Sequence, residues 1–241
     1  MREAPEEGDR FVRAWSEALS DRGFRLRFAS ALPALVLVLA ILARFLEAVE
    51  ARPGVVLPDP LLALFPARDL TWATFGLVYG GVLASVVWLV RRPRRLLLGI
   101  QAYVVLVVLR MAAMWALPLE PPAGLIPLDD PLVRLFGPSK VLTKDLFFSG
   151  HTATLFLLAL AVSAPRLRAL LLAGTAAVGV CVLAQHVHYA IDVFAAPFFV
   201  QGSWFVASRL GSGRAPEARN GCSGPREPEP PGRSGRAGGR E

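Results

Sequence analysis

Cysteine, histidine and lysine are all scarce in this sequence. Two cysteines stand among 241 residues. Cys181 falls inside an apolar run and Cys222 in a polar tail, so no disulfide framework is implied. Lysine occurs only at Lys140 and Lys144, and the remaining basic residues are arginine. No glycine-rich nucleotide loop is present, and no stretch alternates apolar and polar residues as a half-buried strand does. Those absences argue against a dinucleotide-binding α/β domain and against a β fold. The acidic, mixed stretch from Met1 to Arg10 lacks the short apolar core and cleavage pattern of a signal peptide. The net charge of +7 comes from arginines that flank apolar runs. They are better explained as determinants of membrane topology than as a nucleic-acid surface, and no nucleic-acid partner is expected.

Long hydrophobic runs are what the chain has in abundance. Hydrophobic residues make up 54% of it, and the mean hydropathy is +0.48. A membrane-crossing helix needs roughly 20 mostly apolar residues. Six stretches qualify, at about 29–49, 72–90, 96–117, 147–164, 167–185 and 189–208. The expected fold is therefore all-α, a polytopic membrane protein with six transmembrane helices. Residues 1–28 are read as a cytoplasmic segment in which Phe11, Trp15, Ala18 and Leu19 share one face of a short interfacial helix. Residues 29–208 form the transmembrane domain. Residues 209–241, rich in Gly, Pro, Ser and Arg, lack the apolar content to fold and are expected to be disordered.

The arginines orient the bundle. Arg91-Arg92-Pro93-Arg94-Arg95, Arg166 with Arg168, the N-terminal flank and the tail all carry them, whereas the other loops are mixed in sign. Cytoplasmic loops are enriched in Lys and Arg, so both termini are placed in the cytoplasm. His151 then opens the fourth segment on the non-cytoplasmic side, His188 closes the fifth there and Asp192 opens the sixth. Arg110 lies toward the same side on the third. Polar groups from separate stretches meet at one membrane face.

Their chemistry is suggestive. His188 and Asp192, in HVHYAID, are four apart, which on a helix puts them on one face within hydrogen-bond reach. An Asp that accepts from one ring nitrogen fixes the tautomer and makes the other nitrogen a better base or nucleophile. Ser149, in DLFFSGHT, is a good N-cap, and the helix start behind it suits a phosphate. His151, in that first turn, is placed to donate a proton to a leaving oxygen. Each motif also has a plainer reading, as a capped helix start or a mutually satisfied His–Asp pair. A metal site on His186, His188 and Asp192 lacks a further strong ligand.

Taken together, these residues resemble the sphingomyelin synthase family within the type 2 phosphatidic acid phosphatase (PAP2) superfamily. D-L-F-F-S-G-H-T at 145–152 and H-Y-A-I-D-V at 188–193 carry the resemblance over roughly residues 30–205, with looser support from Leu57-Pro58-Asp59 and from Arg94-Arg95 through Tyr103 and Arg110 to Leu117-Pro118. It implies that His188 attacks phosphorus to give a phosphohistidine. Asp192 orients His188, and His151 protonates the leaving alkoxide and then deprotonates the acceptor. Arg110, Lys144 and, third, Lys140 are the candidates to neutralise phosphate charge, with Asp145, Ser149 and Gly150 in the substrate-binding motif. No metal or cofactor is expected. The partners implied are a membrane phospholipid donor and a ceramide- or diacylglycerol-like acceptor. Cys181 and Val182 replace the Ser-Arg pair of soluble-type phosphatases, and the K-x6-R-P cradle is missing, which favours the synthase branch. Thr143-Lys144 stands where that branch has Cys-Gly. The alternatives are a PAP2-type lipid phosphatase or phosphodiesterase using water, and a non-enzymatic transporter or scaffold.

Overall fold

In a computed structural model the described residues are 7–128 and 142–211. Lys140, Cys222 and the tail beyond Gly211 lie outside them. Among the described residues the chain is helical, with no strand beyond an isolated bridge between Val55 and Leu119. Seven α-helices follow one another among the described residues: α1 (Glu7–Ser20), α2 (Arg22–Glu50), α3 (Thr71–Val90), α4 (Pro93–Ala116), α5 (Gly150–Ala161), α6 (Pro165–Ala184) and α7 (Ala190–Gly211).

Five of them, α2, α3, α4, α6 and α7, are long and apolar enough to cross a membrane. The fourth expected segment departs from the expectation, because α5 has only 12 residues. At about 1.5 Å per residue it covers roughly 18 Å of a hydrocarbon core about 30 Å thick. The reason lies in its surroundings. Helix α5 packs against α3, α4, α6 and α7 at once. Leu155 and Ala159 join the core shared with Val78 of α3 and Leu171, Val178 and Val182 of α6. Ala153 and Leu157 join that of Ala102 and Leu106 of α4 with Ala196 and Val200 of α7. Irregular backbone at membrane depth is tolerated where protein, not lipid, surrounds it. Small residues permit the close approach. A side chain on Gly81 of α3 would meet Leu155 Cδ2 at 2.5 Å.

The first long helix also begins earlier than the apolar run suggests. Asp21 Oδ1 accepts from Gly23 N–H at 2.8 Å and caps α2 at Arg22. Ala18 of α1 is buried, and Trp15 Nε1 donates to the Val90 carbonyl at 2.8 Å, fastening α1 to the arginine-rich end of the bundle.

At the opposite end the loops are stitched into a cap. Val55 N–H donates to Pro118 O and Glu120 N–H returns to Val55 O, each at 3.0 Å. Gln185, fully buried after the last turn of α6, is the hub. Its Oε1 accepts from Leu70 N–H at 3.2 Å, while Nε2 donates to Thr71 Oγ1 at 2.9 Å and to Ile126 O at 3.2 Å. The Gln185 amide is thus fully used in joining the end of α6 to the start of α3 and to the loop at Ile126. Gln185→Leu leaves these groups without partners at about 1–3 kcal/mol for a buried unsatisfied group. The expected result is a thermal midpoint in detergent lower by several degrees, at unchanged helical content by circular dichroism.

Candidate active site

His188 and Asp192 do not share a helix face, contrary to the spacing argument. Helix α6 ends at Ala184, and His186 takes a left-handed conformation with φ of 57°, which prevents the helix from continuing. His188 therefore sits in the turn before α7. Asp192, in the first turn of α7, reaches back out of the helix. Its Oδ2 accepts from Tyr189 N–H at 3.1 Å and faces His188 Nδ1 at 3.2 Å. The first contact is half of a capping box, and the second is added to it on the same oxygen. Both side chains are buried, at 5% and 0% exposure. A carboxylate only accepts, so Nδ1 carries the proton and Nε2 keeps its lone pair outward. Asp192 Oδ1 is buried without a hydrogen-bond partner among the described residues.

The start of α5 meets the start of α7 through backbone. Ser149 N–H donates to the Asp192 carbonyl at 3.0 Å. Ser149, fully buried, caps α5, its Oγ accepting from Thr152 N–H at 3.4 Å and from Thr152 Oγ1 at 3.1 Å. His151 follows in the same first turn, its ring edge-on to Phe75 at 5.7 Å between centroids. The two histidines are thereby carried on turns that are hydrogen-bonded to each other.

Arg110, 8% exposed, brings the cation from α4. Its Nη2 and Nε donate to Asp145 Oδ1 at 2.6 and 3.2 Å. The guanidinium also lies directly over Gly150, so that a Cβ there would overlap its Nη1. A delocalised cation thus covers the helix end whose leading N–H groups and dipole favour an anion. Asp145 is half-buried. Burial pushes its carboxyl up, but the Arg110 guanidinium, with lesser help from His188 and His151, outweighs this and holds it below the usual carboxylate range. Asp145, Arg110 and both histidines therefore share one electrostatic site.

Lys144 is directed elsewhere. Its Nζ donates to Glu120 Oε1 at 2.8 Å and to Arg52 O at 2.7 Å. The Lys144 hydrogen bond, with help from Gly54 N–H, holds the Glu120 carboxyl below its usual range. Thr143 and Lys144 N–H both donate to Glu50 at 3.0 Å. Here Lys144 ties loops together, and Arg110 is the cation at the α5 terminus. His186 is also separate from His188, its Nδ1 facing Ala123 O at 3.1 Å.

The sequence reading passed over the supports. Phe147 and Phe148 adopt left-handed backbone, with φ of 67° and 40°. Such geometry in a bulky residue is strained, at about 1–3 kcal/mol each. Phe148 stacks on Phe199 of α7 at 4.6 Å and Phe147 meets it edge-on at 5.9 Å, holding the reversal that turns Asp145 to Arg110 and Ser149 to Asp192. The loosely motif-like Leu57-Pro58-Asp59 is a second clamp. Asp59 Oδ2 accepts from Ala190 N–H at 2.6 Å and Leu57 N–H donates to Tyr189 Oη at 3.2 Å.

The arrangement is that of a helical, membrane-type protein with a buried His–Asp pair facing a capped, arginine-covered helix start. Residues 144–209, spanning α5 to α7, match the family model described as PAP2 superfamily C-terminal. Over that stretch the chain is similar to the PAP2 superfamily, whose members are phosphatases and phosphotransferases acting on phosphoesters. Together with the five long apolar helices this match points to an integral membrane protein. No curated protein and no solved structure matches the chain.

Two expectations follow. Gly150→Ala should displace the Arg110 guanidinium and cut turnover on a phosphoester lipid by about 10²-fold, with the helical spectrum unchanged. The Asp145–Arg110 pair should also give an acid-sensitive share of stability. Because the folded carboxyl is held low, that share is complete above an unfolded pKa of about 3.9 and is lost as pH falls through the lower folded value. Thermal midpoints of wild type and Asp145→Asn should keep a fixed gap above about pH 5 and converge below about pH 4.

Proposed function

We propose that this protein is an integral membrane lipid phosphotransferase, similar to sphingomyelin synthases, that works through a phosphohistidine. The observation that carries the reading is the hydrogen-bonded junction of the two helix starts, with the His188–Asp192 pair on one and His151, Gly150 and the Arg110 guanidinium at the other.

In this reading the donor phosphate lies at the α5 terminus under Arg110, where a delocalised cation and backbone N–H groups stabilise the charge that develops in the transition state. His188 Nε2 attacks phosphorus. A P–N bond forms as the bond to the donor alcohol oxygen breaks, and His151 supplies the proton that this oxygen takes up. Asp192 holds Nδ1–H and balances the positive charge on the phosphorylated ring. In the second half, His151 removes the proton from an acceptor hydroxyl, whose oxygen attacks phosphorus and releases His188. Asp145 keeps Arg110 oriented over Gly150.

Transfer is preferred over hydrolysis because His188 and Asp192 are nearly inaccessible, at 4% and 0% exposure. Water competes poorly in such a site. The topology that goes with this reading has six membrane segments, α5 being the short one sheltered by its neighbours. Both termini and the arginine-rich loops lie in the cytoplasm, and the histidines act at the non-cytoplasmic face.

The test is a liposome assay with labelled phosphatidylcholine and phosphatidylethanolamine, with and without ceramide or diacylglycerol. Wild type should yield a headgroup-bearing product that depends on the acceptor, together with an acid-labile phosphoryl label on the protein. His188→Ala should yield neither, and His151→Ala should slow turnover by about 10²–10⁴-fold. Free phosphorylated headgroup or dephosphorylated lipid formed without regard to acceptor would make the protein a hydrolase. No turnover in wild type would reject the lipid phosphotransferase reading for these donors.

A further inference from the structure

Helix α1 divides its apolar side between two surroundings. Trp15 and Ala18 are turned to the bundle. The Trp15 ring meets Phe28 of α2 edge-on at 5.5 Å, and Ala18 packs with Phe24 and Ala31 of α2 and Leu97 of α4. Phe11, Val12 and Leu19 are left outward, at 40%, 63% and 43% exposure. At 3.6 residues per turn these three fall within about 100° of one another, so they form one apolar edge. Along α2 the outward side continues in the same character, with Leu26, Leu32, Val36 and Leu37 exposed. That helix is long and apolar enough to cross a membrane, so the edge of α1 sits at the head of a lipid-facing surface.

Cations crowd the same end. Four of the five residues from Arg91 to Arg95 are arginine, and all four are exposed. The bond from Trp15 Nε1 to Val90 O sets α1 against that turn. The Gly23 and Phe24 N–H groups hold the Asp21 carboxyl below its usual range, and Arg27 and Arg94 add to this. The starts of α2 and α4 therefore share one field. Arg95 Nη1 donates to Ala161 O at 3.2 Å and draws in the turn that carries exposed Arg166 and Arg168.

Helix ends hold some of these guanidiniums in place. Arg25 Nη1 donates to Leu19 O of α1 at 2.7 Å, and Arg92 Nη1 to Trp88 O of α3 at 3.2 Å. The Arg92 guanidinium also lies over the Trp88 ring at 3.7 Å. Each cap contact, like that of Arg95, uses one terminal nitrogen of a group with five N–H donors. Donors are left for an anion, and little further ordering is needed to present them. A soluble anion would use the arginines and leave the apolar edge in water. A neutral lipid would cover the edge and leave the arginines without counter-charge. A negatively charged lipid surface satisfies both.

We propose that this end of the bundle gathers anionic phospholipids. The edge of α1 lies among their acyl chains, and Arg22, Arg94 and the neighbouring turns meet their phosphates. In the topology proposed above this is the cytoplasmic leaflet. Such binding is independent of the transferase chemistry, since none of these residues belongs to the candidate active site.

The test uses the full chain in phosphatidylcholine bilayers with a trace of spin-labelled phosphatidylglycerol or phosphatidylcholine. The motionally restricted fraction of each label gives their relative association with the protein. Wild type should favour phosphatidylglycerol about threefold or more. The preference should shrink as salt rises from about 0.05 to 0.5 M, because screening weakens exposed charges. Arg22→Gln with Arg94→Gln, at two exposed side chains, should halve it or more. Arg68→Gln, exposed at the opposite end where Arg68 N–H donates to Ala184 O, should leave it unchanged. A second measurement needs no arginine variant. A nitroxide on Val12→Cys, with Cys181→Ser and Cys222→Ser, should meet oxygen more readily than a water-soluble nickel chelate. Equal association of the two lipids in wild type, equal loss in both arginine variants, or a nitroxide more open to nickel would overturn the proposal. Displacement by inorganic phosphate at matched ionic strength would make this a soluble-anion site and would overturn it too.

Discussion

The hydrogen bond from Ser149 N–H to the Asp192 carbonyl ties the start of α5 to the start of α7. Most of the proposed chemistry depends on that junction. Asp192 holds His188 from one side of it, and Ser149 caps the turn that carries Gly150 and His151 on the other. A backbone bond in a buried setting fixes distance and direction more tightly than two long side chains could. It also lets the site rest on helix ends, where unsatisfied N–H groups and dipoles are available.

The short central helix makes the junction reachable. Helix α5 has only 12 residues, and four other helices cover it. The strained Phe147–Phe148 reversal is the cost of that arrangement, offset by their packing on Phe199. The turns that flank the site are held by Asp59, Glu120 and Glu50. Their carboxylates accept from backbone N–H groups of Ala190, Gly54 and Thr143, which ties the loops together.

Much of the candidate site was legible in one dimension because its residue types are unusual in apolar sequence. A His, an Asp or an Arg at the edge of a membrane segment is expensive, so Arg110, His151, His188 and Asp192 stand out against their neighbours. Lys144 stood out for the same reason, yet its ammonium turns to Glu120 and Arg52 O. Charge can be read from sequence, but the direction of a side chain cannot. The structural roles of Asp59, Tyr189 and Phe199 gave no strong signal, since they consist of contacts 69 to 132 residues away in the chain or of ring stacking.

By itself the sequence determined the helical class, five of the six expected segments as long apolar helices, and the order in which polar groups appear at their ends. Hydrophobic run length and the absence of strand periodicity are local properties, so they need no tertiary information. The tertiary structure decided three things. The fourth segment is a sheltered half-length helix, because burial among four neighbours removes the need to span lipid. Asp192 bonds His188 across a turn instead of along a helix face, because the left-handed His186 ends α6 early. Arg110 rests on Gly150 because only a residue without Cβ leaves room for a guanidinium there.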